Sequence, residues 1–328
     1  MNLYEQQTAN RRKTWLIMFA FVAFLFVLGL GFDAFYLGTV GGFPFGSILA
    51  LGVGSVSAIF SYFTGDKAVL LATGAKPIEQ IAAATAGDEA ERLRLKQLEN
   101  VVEEMAIASG LPRPRVYVVP DDDPNAFATG RSPDHASIAV TRGLLKSLDR
   151  DELQGVVAHE MSHIRNFDIR VMTIVAALVG AVALIADWSR RGMSWGGGRS
   201  SRDNDREGSS GIGGIIFFVI WIVAIALAPL VAQMLAMMVS RKREYLADAS
   251  GAELTRNPIG LARALEKIES AVAPTAAINR GSAHLCIADP LGRQVNLKEG
   301  FWSDLFASHP PMAARIAALK EMAFLGRT

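Results

Sequence analysis

Two long uncharged stretches dominate the beginning of the chain. Residues 15–32 form an 18-residue run without charge, and a second apolar run covers residues 43–63. At 1.5 Å per residue, a helix of the first length nearly crosses a hydrocarbon core of ~30 Å. The pattern therefore predicts two helices that form a membrane hairpin over residues 1–66.

Charges beside these runs predict their orientation. Arg11, Arg12 and Lys13 precede the first run, which indicates a cytoplasmic N-terminus under the positive-inside rule. A two-span hairpin brings the chain back to the same side near Asp66 and Lys67. The segment that follows is then expected on the cytoplasmic side.

The next segment has the pattern of a water-exposed domain. Residues 88–109 show a helical apolar stripe ended by Gly110, and RVYVV (115–119) has the composition of a strand. Asp149 and Glu152 form a capping-box pattern ahead of another helix, Asn257-Pro258 begins a third, and Pro311 a fourth. Three aspartates within residues 120–124 lack the interleaved spacing of a calcium loop, so a solvated turn is favoured.

The strand ASIAVT (136–141), which contains Ala139, allows two interpretations. If it is exposed, it can pair with the main chain of an extended peptide, as proteases commonly hold their substrates. An ordinary sheet strand fits the sequence equally well.

A second pair of apolar runs covers residues 171–186 and 212–239. Residues 187–211 between them are rich in Gly, Ser and Arg and have no apolar periodicity, which predicts a flexible loop. The pattern favours a second hairpin over residues 171–240. The loop carries five arginines, which the positive-inside rule would not place outside, so a partly inserted hairpin remains an alternative to two full spans.

Composition narrows the class of protein. In this chain, 51 % of residues are hydrophobic and the mean hydropathy is +0.26, which agrees with membrane segments. The formal charge is only +1, so there is no excess of basic residues that would indicate nucleic-acid binding. Cys286 is the sole cysteine, so no intrachain disulfide can form. Its apolar context, LCIA, is typical of a small buried side chain.

The string HEMSH carries the candidate chemistry. His159 and His163 are four positions apart on a predicted helix, so both imidazoles face one side and can bind one metal ion. Glu160 stands beside them, where a carboxylate can take a proton from a metal-bound water. Catalytic zinc usually needs a third protein ligand, and spacing alone cannot choose one. The candidates are Glu244, Asp248, Glu253, His284 and His309.

The chain resembles the HtpX family of membrane zinc metalloproteases, which is more distantly related to the CAAX prenyl proteases. Five blocks carry the likeness: NAFATG at 125–130, AVTRGLL at 139–145, AHEMSHIRNFD at 158–168, SRKREYLAD at 240–248 and HPPMAARIAAL at 309–319. One departure lies at Arg165, Asn166 and Phe167, where relatives often carry small residues and Gly.

The resemblance implies a set of roles. His159, His163 and Glu244 would bind one Zn²⁺ per chain, Glu160 would be the general base, and Asp248 would support the site. As a mechanistic hypothesis apart from the resemblance, a side chain from the region of Asn125 or His309 would help to stabilise the oxyanion, although His309 equally fits a helix cap.

The resemblance also implies an architecture. We expect a mainly α fold in which membrane hairpins carry a zincin-like metalloprotease domain with a small β-sheet. The predicted units are a membrane hairpin (1–66), the first catalytic part (67–170), a second hydrophobic hairpin (171–240) and the second catalytic part (241–328).

The implied activity is degradation of misfolded or damaged membrane proteins at the bacterial inner membrane, with the catalytic domain in the cytoplasm. The expected partners are such substrates and the lipid bilayer, without nucleic acid, and the sequence does not predict the oligomeric state. Two alternatives remain: a prenyl-type C-terminal processing protease, which would need an enclosed chamber made of more spans, and a catalytically silent zinc-binding membrane scaffold.

Overall fold

The computed structural model describes residues 3–36, 43–85, 87–178, 241–271, 285–288 and 310–325. The helices are α1 (Leu3–Tyr36), α2 (Phe45–Ala72), α3 (Ile78–Ala84), α4 (Glu89–Ser109), α5 (Arg142–Ser147), α6 (Arg150–Arg165), α7 (168–178), α8 (Arg241–Thr255), α9 (Pro258–Ser270) and α10 (Met312–Leu325). The strands are β1 (Lys76–Pro77), β2 (Arg115–Val119), β3 (Ala126–Gly130) and β4 (Ala136–Thr141). The predicted loop 187–211, the apolar run 212–239, His284 and His309 lie outside the described residues.

Helices α1 and α2 form the predicted N-terminal hairpin. Gly29 lies beside Gly46, and the rings of Trp15 and Tyr62 stack with centroids 5.9 Å apart, so the two helices run antiparallel. Each contains a segment long and apolar enough to cross a membrane, Gln7–Gly31 and Phe45–Ala72. Phe19 and other large apolar side chains on these helices remain exposed, as expected for surfaces that face lipid.

Close contact at the far end of the hairpin depends on a glycine and an aspartate. A Cβ added to Gly29 would lie 2.7 Å from the carbonyl oxygen of Gly46, so only glycine allows this approach. The carboxylate of Asp33 accepts hydrogen bonds from the backbone N–H groups of Gly46 and Ser47, the latter at 2.7 Å. Asp33 thereby satisfies donors at the first turn of α2, which are otherwise unpaired inside a helix.

The sheet has the strand order β1-β2-β4-β3. Strand β4 pairs in parallel with β2 and antiparallel with β3, so it is an interior strand. Outside β3, residues 285–288 run alongside: Phe127 forms an antiparallel bridge with Cys286, and Ile287 N donates to Ala126 O at 2.9 Å. Cys286 is buried, as its apolar context predicts.

Helix α6 occupies the middle of the domain core. Its capping box is as predicted: Asp149 Oδ1 accepts from Glu152 N at 3.0 Å, and Glu152 Oε2 accepts from Asp149 N at 2.8 Å. Helices α4, α8 and α9 pack around it, and α10 packs against α9. The buried apolar side chains of these helices belong to one hydrophobic cluster. Gly155 allows α9 to approach, because a Cβ there would lie 2.8 Å from the Leu261 backbone.

Helix α7 joins this core to the membrane hairpin. Its side chains Val171, Ile174, Val175 and Leu178 form a buried cluster with Ile17, Met18, Phe21 and Ala58 of α1 and α2. The turn between α6 and α7 also lies against the hairpin, since Asn10 Nδ2 of α1 donates to Asn166 O at 2.9 Å. Helix α2 continues past residue 66, the predicted end of the first unit, and ends at Ala72. The division of the chain into four units stays a prediction.

Candidate metal centre

Two histidines of α6 meet in the interior. His159 and His163 are both buried, with their Nε2 atoms 3.2 Å apart and their rings nearly perpendicular at 86°. The four-residue spacing places both imidazoles on one side of the helix, as the sequence predicts.

Helix α8 brings a buried carboxylate to this pair. Glu244 Oε2 lies 3.8 Å from His159 Nε2, and Oε1 lies 3.6 Å from His163 Nε2. The approach is possible because α8 carries Gly251, where a Cβ would lie 3.0 Å from His159 N. Ligand atoms of the three side chains all fall within 4.8 Å of one another, which makes a possible metal site.

Two further carboxylates face the opposite ring nitrogens. His159 Nδ1 lies 2.9 Å from Asp248 Oδ1, and His163 Nδ1 lies 3.2 Å from Asp168 Oδ2. A carboxylate at each Nδ1 favours the tautomer with a proton there, so the Nε2 lone pairs point toward each other and toward Glu244.

This donor set fits a divalent cation. Lone pairs and a carboxylate that converge in a buried space repel one another unless a positive charge lies between them. For bonds of about 2.0–2.1 Å in tetrahedral geometry, ligand atoms should be about 3.3 Å apart. The distances of 3.2, 3.6 and 3.8 Å are close to that value.

When no metal is bound, a proton on His163 can supply the positive charge that offsets the repulsion among these groups. Burial disfavours a charged imidazole there, but the hydrogen bond with Asp168 and the charge of Glu244 outweigh it and raise the pKa of His163 to about 9. A proton on this ring then takes the place of the cation's charge.

Glu160 follows the first histidine and is buried beside the site. Burial raises its pKa, while the neighbouring imidazoles of His159 and His163 act in the opposite direction. Within the described part of the chain, its Oε1 has no hydrogen-bond partner. A carboxyl group with a raised pKa holds a proton more readily than an ordinary glutamate, which suits a group that both accepts and releases one.

Arg315 of α10 is a site residue that the sequence analysis missed. It is fully buried and forms a two-pronged pair with Asp248, with Nε to Oδ2 at 2.8 Å and Nη2 to Oδ1 at 2.7 Å. Its Nη1 lies 3.4 Å from Glu244 Oε2 and donates to Ile287 O at 2.8 Å. Burial favours a neutral Asp248, but Arg315 outweighs it and lowers the pKa of that carboxyl to about 2. The available signal was an arginine inside the apolar stripe of α10, three residues after Met312.

Asp168 was also missed as a site residue. Besides His163, its carboxylate accepts from Asn10 Nδ2 at 2.8 Å and pairs with Arg243 Nη1 at 3.2 Å. Asn10 belongs to α1 and also donates to Asn166 O at 2.9 Å. The first membrane helix therefore supports a carboxylate that orients one of the paired histidines.

The weaker predictions have different outcomes. Asp248 contacts His159, with Oδ1 2.9 Å from Nδ1, and its supporting role stays a prediction. Asn125, which was predicted to help stabilise the oxyanion, forms its hydrogen bonds with Ala288 O, Ala126 N and Thr141 Oγ1. None of these partners is a residue of the histidine pair. The substrate-strand interpretation of Ala139 is wrong, because β4 pairs on both sides, and its ordinary-strand alternative is correct.

The aspartates of 121–123 form the expected turn. Asp121 Oδ1 accepts from Asp123 N at 2.9 Å, and Asp122 pairs with Lys146 at 2.7 Å on the surface. Asp122 is exposed, as a solvated turn predicts, whereas Asp123 is buried, so the prediction is correct only in part.

A histidine pair on one helix, a glutamate from a second and a buried acid beside them have the arrangement of a metallopeptidase centre. A helix long and apolar enough to cross a membrane contacts this centre through Asn10 and Asp168. The model of peptidase family M48 matches residues 92–323. The chain belongs to this family, and it is a membrane metalloprotease.

Curated relatives match along almost the whole chain. A protein named Protease HtpX homolog from Streptococcus thermophilus is 41 % identical over 320 residues, covering 98 % of this chain and 100 % of the relative. Another of that name from Lactiplantibacillus plantarum is 43 % identical over 324 residues, with coverage of 98 % and 100 %. The similarity to the HtpX family that the five sequence blocks indicate is thus confirmed. A crystal structure of S. mikatae Ste24p is 20 % identical with a TM-score of 0.47, covering 96 % of this chain and 67 % of that one.

Proposed function

We propose that His159, His163 and Glu244 hold one Zn²⁺ per chain and that Glu160 handles the proton in peptide-bond hydrolysis. The supporting observation is the convergence of three ligand atoms within 4.8 Å in a buried space beside Glu160. Two imidazoles and one carboxylate form a ligand set that zinc hydrolases commonly use. Bound zinc would supply a Lewis acid that polarises the peptide carbonyl and acidifies water.

The protein's own residues provide the remaining chemistry. Glu160 accepts a proton from the attacking water and delivers it to the leaving amine, and its raised pKa suits both transfers. Asp248 and Asp168 hold the imidazoles in the tautomer that presents Nε2 inward. Arg315 fixes Asp248 and neutralises part of the negative charge that Asp248 and Glu244 bring into the interior.

We further propose that the substrates are misfolded or damaged membrane proteins, cut on the cytoplasmic side of the bacterial inner membrane. Support comes from the contact between α1 and Asp168, which places the metal centre next to the hairpin. Basic residues at the start of the first span favour a cytoplasmic location for that end.

The test uses full-length protein purified in detergent, with casein as an unfolded substrate and zinc content measured by plasma emission spectroscopy. Glu160→Gln should lower kcat by about 10²–10⁴-fold while one zinc per chain remains bound. Glu253→Gln, an exposed glutamate on α8, is the matched control and should cleave as the wild type does. Full activity of the Glu160 variant would contradict the general-base role.

A second comparison tests the substrate class. The wild type should cut casein and a destabilised membrane protein faster than a prenylated C-terminal peptide. Preference for the prenylated peptide would favour the processing-protease alternative. Zinc binding without cleavage of any of the three would favour the scaffold.

A further inference from the structure

Two arginines share one aromatic ring where the membrane hairpin meets the α6–α7 turn. The guanidinium carbons of Arg11 and Arg170 each lie 5.0 Å from the centre of the Phe167 ring. Arg170 also lies 5.8 Å from the Tyr62 ring. Cation–π contact holds both guanidinium groups against the same ring.

A third arginine joins them. The guanidinium carbon of Arg131 lies 5.4 Å from the Phe63 ring, and its Nη1 donates to Phe63 O at 3.3 Å. Arg170 Nε donates to the backbone carbonyl of Arg131 at 2.6 Å. Arg11, Arg131 and Arg170 thus form an arginine cluster at the base of the hairpin.

The cluster has no internal counter-charge. In residues that the structure describes, no Asp or Glu forms a salt bridge with any of its three members, and the nearby acids pair elsewhere: Asp66 with Arg115 at 3.1 Å, and Asp168 with Arg243. Burial lowers the pKa of Arg170, and the charges of the other two arginines add to this effect. An anion placed among them would relieve the repulsion.

Phe167 occupies a backbone position that its side chain disfavours. Its φ is +59°, in the left-handed region where a bulky residue is uncommon and glycine is at ease. Such strain persists where the surroundings hold it in place, often at ligand sites. Here the strained residue supplies the ring that Arg11 and Arg170 contact.

The depth of the cluster matches the level of lipid headgroups. Arg11 lies near the start of the candidate span Gln7–Gly31, and Trp15, one turn further along, stacks on Tyr62. Tryptophan and tyrosine are enriched at membrane–water interfaces. The phosphates of phospholipids lie at that same level.

We propose that the arginine cluster binds the phosphate of an anionic phospholipid headgroup. Guanidinium groups present paired N–H donors that match phosphate oxygens, and several of them together neutralise one phosphate well. The position at the headgroup level makes a lipid, and not free phosphate, the occupant.

The test uses the full-length protein in a neutral detergent. It is titrated separately with dioctanoyl phosphatidylglycerol, dioctanoyl phosphatidylcholine and inorganic phosphate, and Tm is followed, since a ligand of the folded state raises it. Phosphatidylglycerol should raise Tm in a saturable way, and the other two should leave it unchanged.

Three variants separate a defined site from general positive charge. Arg11→Gln and Phe167→Gly should each weaken the apparent affinity for phosphatidylglycerol at least ~10-fold, by loss of a charged donor and of the ring wall. Phe167→Gly also relieves the left-handed strain, so its lipid-free Tm should not fall. Arg12→Gln is the matched control: Arg12 is exposed, adjacent on α1 and makes none of these ring contacts, and the affinity should stay within about twofold.

The proposal would be overturned by an equal loss of affinity in Arg11→Gln and Arg12→Gln, which indicates diffuse electrostatic attraction. A phosphatidylcholine response equal to that of phosphatidylglycerol would overturn it as well. So would inorganic phosphate that binds as tightly as the lipid.

Discussion

Asn10 Nδ2 donates a hydrogen bond to Asp168 Oδ1 at 2.8 Å, although the two residues are 158 positions apart in the chain. Both are buried, and Asp168 is the residue that orients His163. The membrane hairpin is therefore part of the support of the metal centre, in addition to any role as an anchor.

Replacing Asn10 should loosen the metal. Removing partners that orient ligands typically weakens metal affinity by 10–100-fold. Asn10 contacts Asp168 and not the histidine itself, so its effect should be smaller. We expect Asn10→Ala to increase the rate of zinc loss to a chromogenic chelator by roughly threefold to tenfold. Thr8→Ala, an exposed change on the same helix, is the control. Identical rates in both variants would show that Asp168 needs no help from α1.

Replacing Arg315 should destabilise the whole domain. Arg315→Met leaves the buried carboxylates of Asp248 and Glu244 without their cation, and breaking a buried pair costs about 3–5 kcal/mol. Thermal unfolding in detergent should show a clear drop in Tm. Lys320→Met on the same helix breaks a half-exposed pair with Glu266, which contributes at most about 1 kcal/mol. Equal shifts in the two variants would contradict this assignment.

The metal-free protein should lose stability as the pH rises from neutral. Burial would lower the pKa of His163, but Asp168 and Glu244 raise it from the ordinary 6.5 to about 9. A raised pKa in the folded state stabilises it fully below pH 6.5, and this contribution is lost as the pH rises through about 9. The Tm of chelator-treated protein should fall across that window, and the fall should be smaller in Asp168→Asn. A Tm independent of pH in the chelated wild type would argue against a charged His163.

Gly155 should tolerate no side chain. A Cβ there would lie 2.8 Å from both N and Cα of Leu261, so Gly155→Ala should push α6 and α9 apart and cost about 1–3 kcal/mol. Gly52→Ala in α2 meets nothing within 4 Å and should be neutral or slightly stabilising. Comparing the two Tm values separates crowding from the ordinary helix preference of alanine. A stabilised Gly155 variant would mean that the helices adjust without cost.

Local signals predicted much of this fold. The capping box at Asp149, the Asn257 cap and the ending at Gly110 all involve residues a few positions apart, where sequence and geometry are tightly linked. The HEMSH spacing placed both histidines correctly for the same reason.

Contacts between segments far apart in the chain could not be predicted from such local signals. Nothing in the spacing of Asn10 or Arg315 shows that one would meet Asp168 and the other Asp248, because each belongs to an element that packs only in the complete fold. The position of β4 inside the sheet likewise depends on β2 and β3 together, which a single strand's composition does not reveal.

The side chains that support the metal centre stand far apart in the chain, at residues 10 and 315. A ribosome therefore has to add Arg315 before Asp248 gains its buried cationic partner. A nascent chain that has not reached this residue carries both histidines and Glu244 but lacks the arginine that holds Asp248 in place.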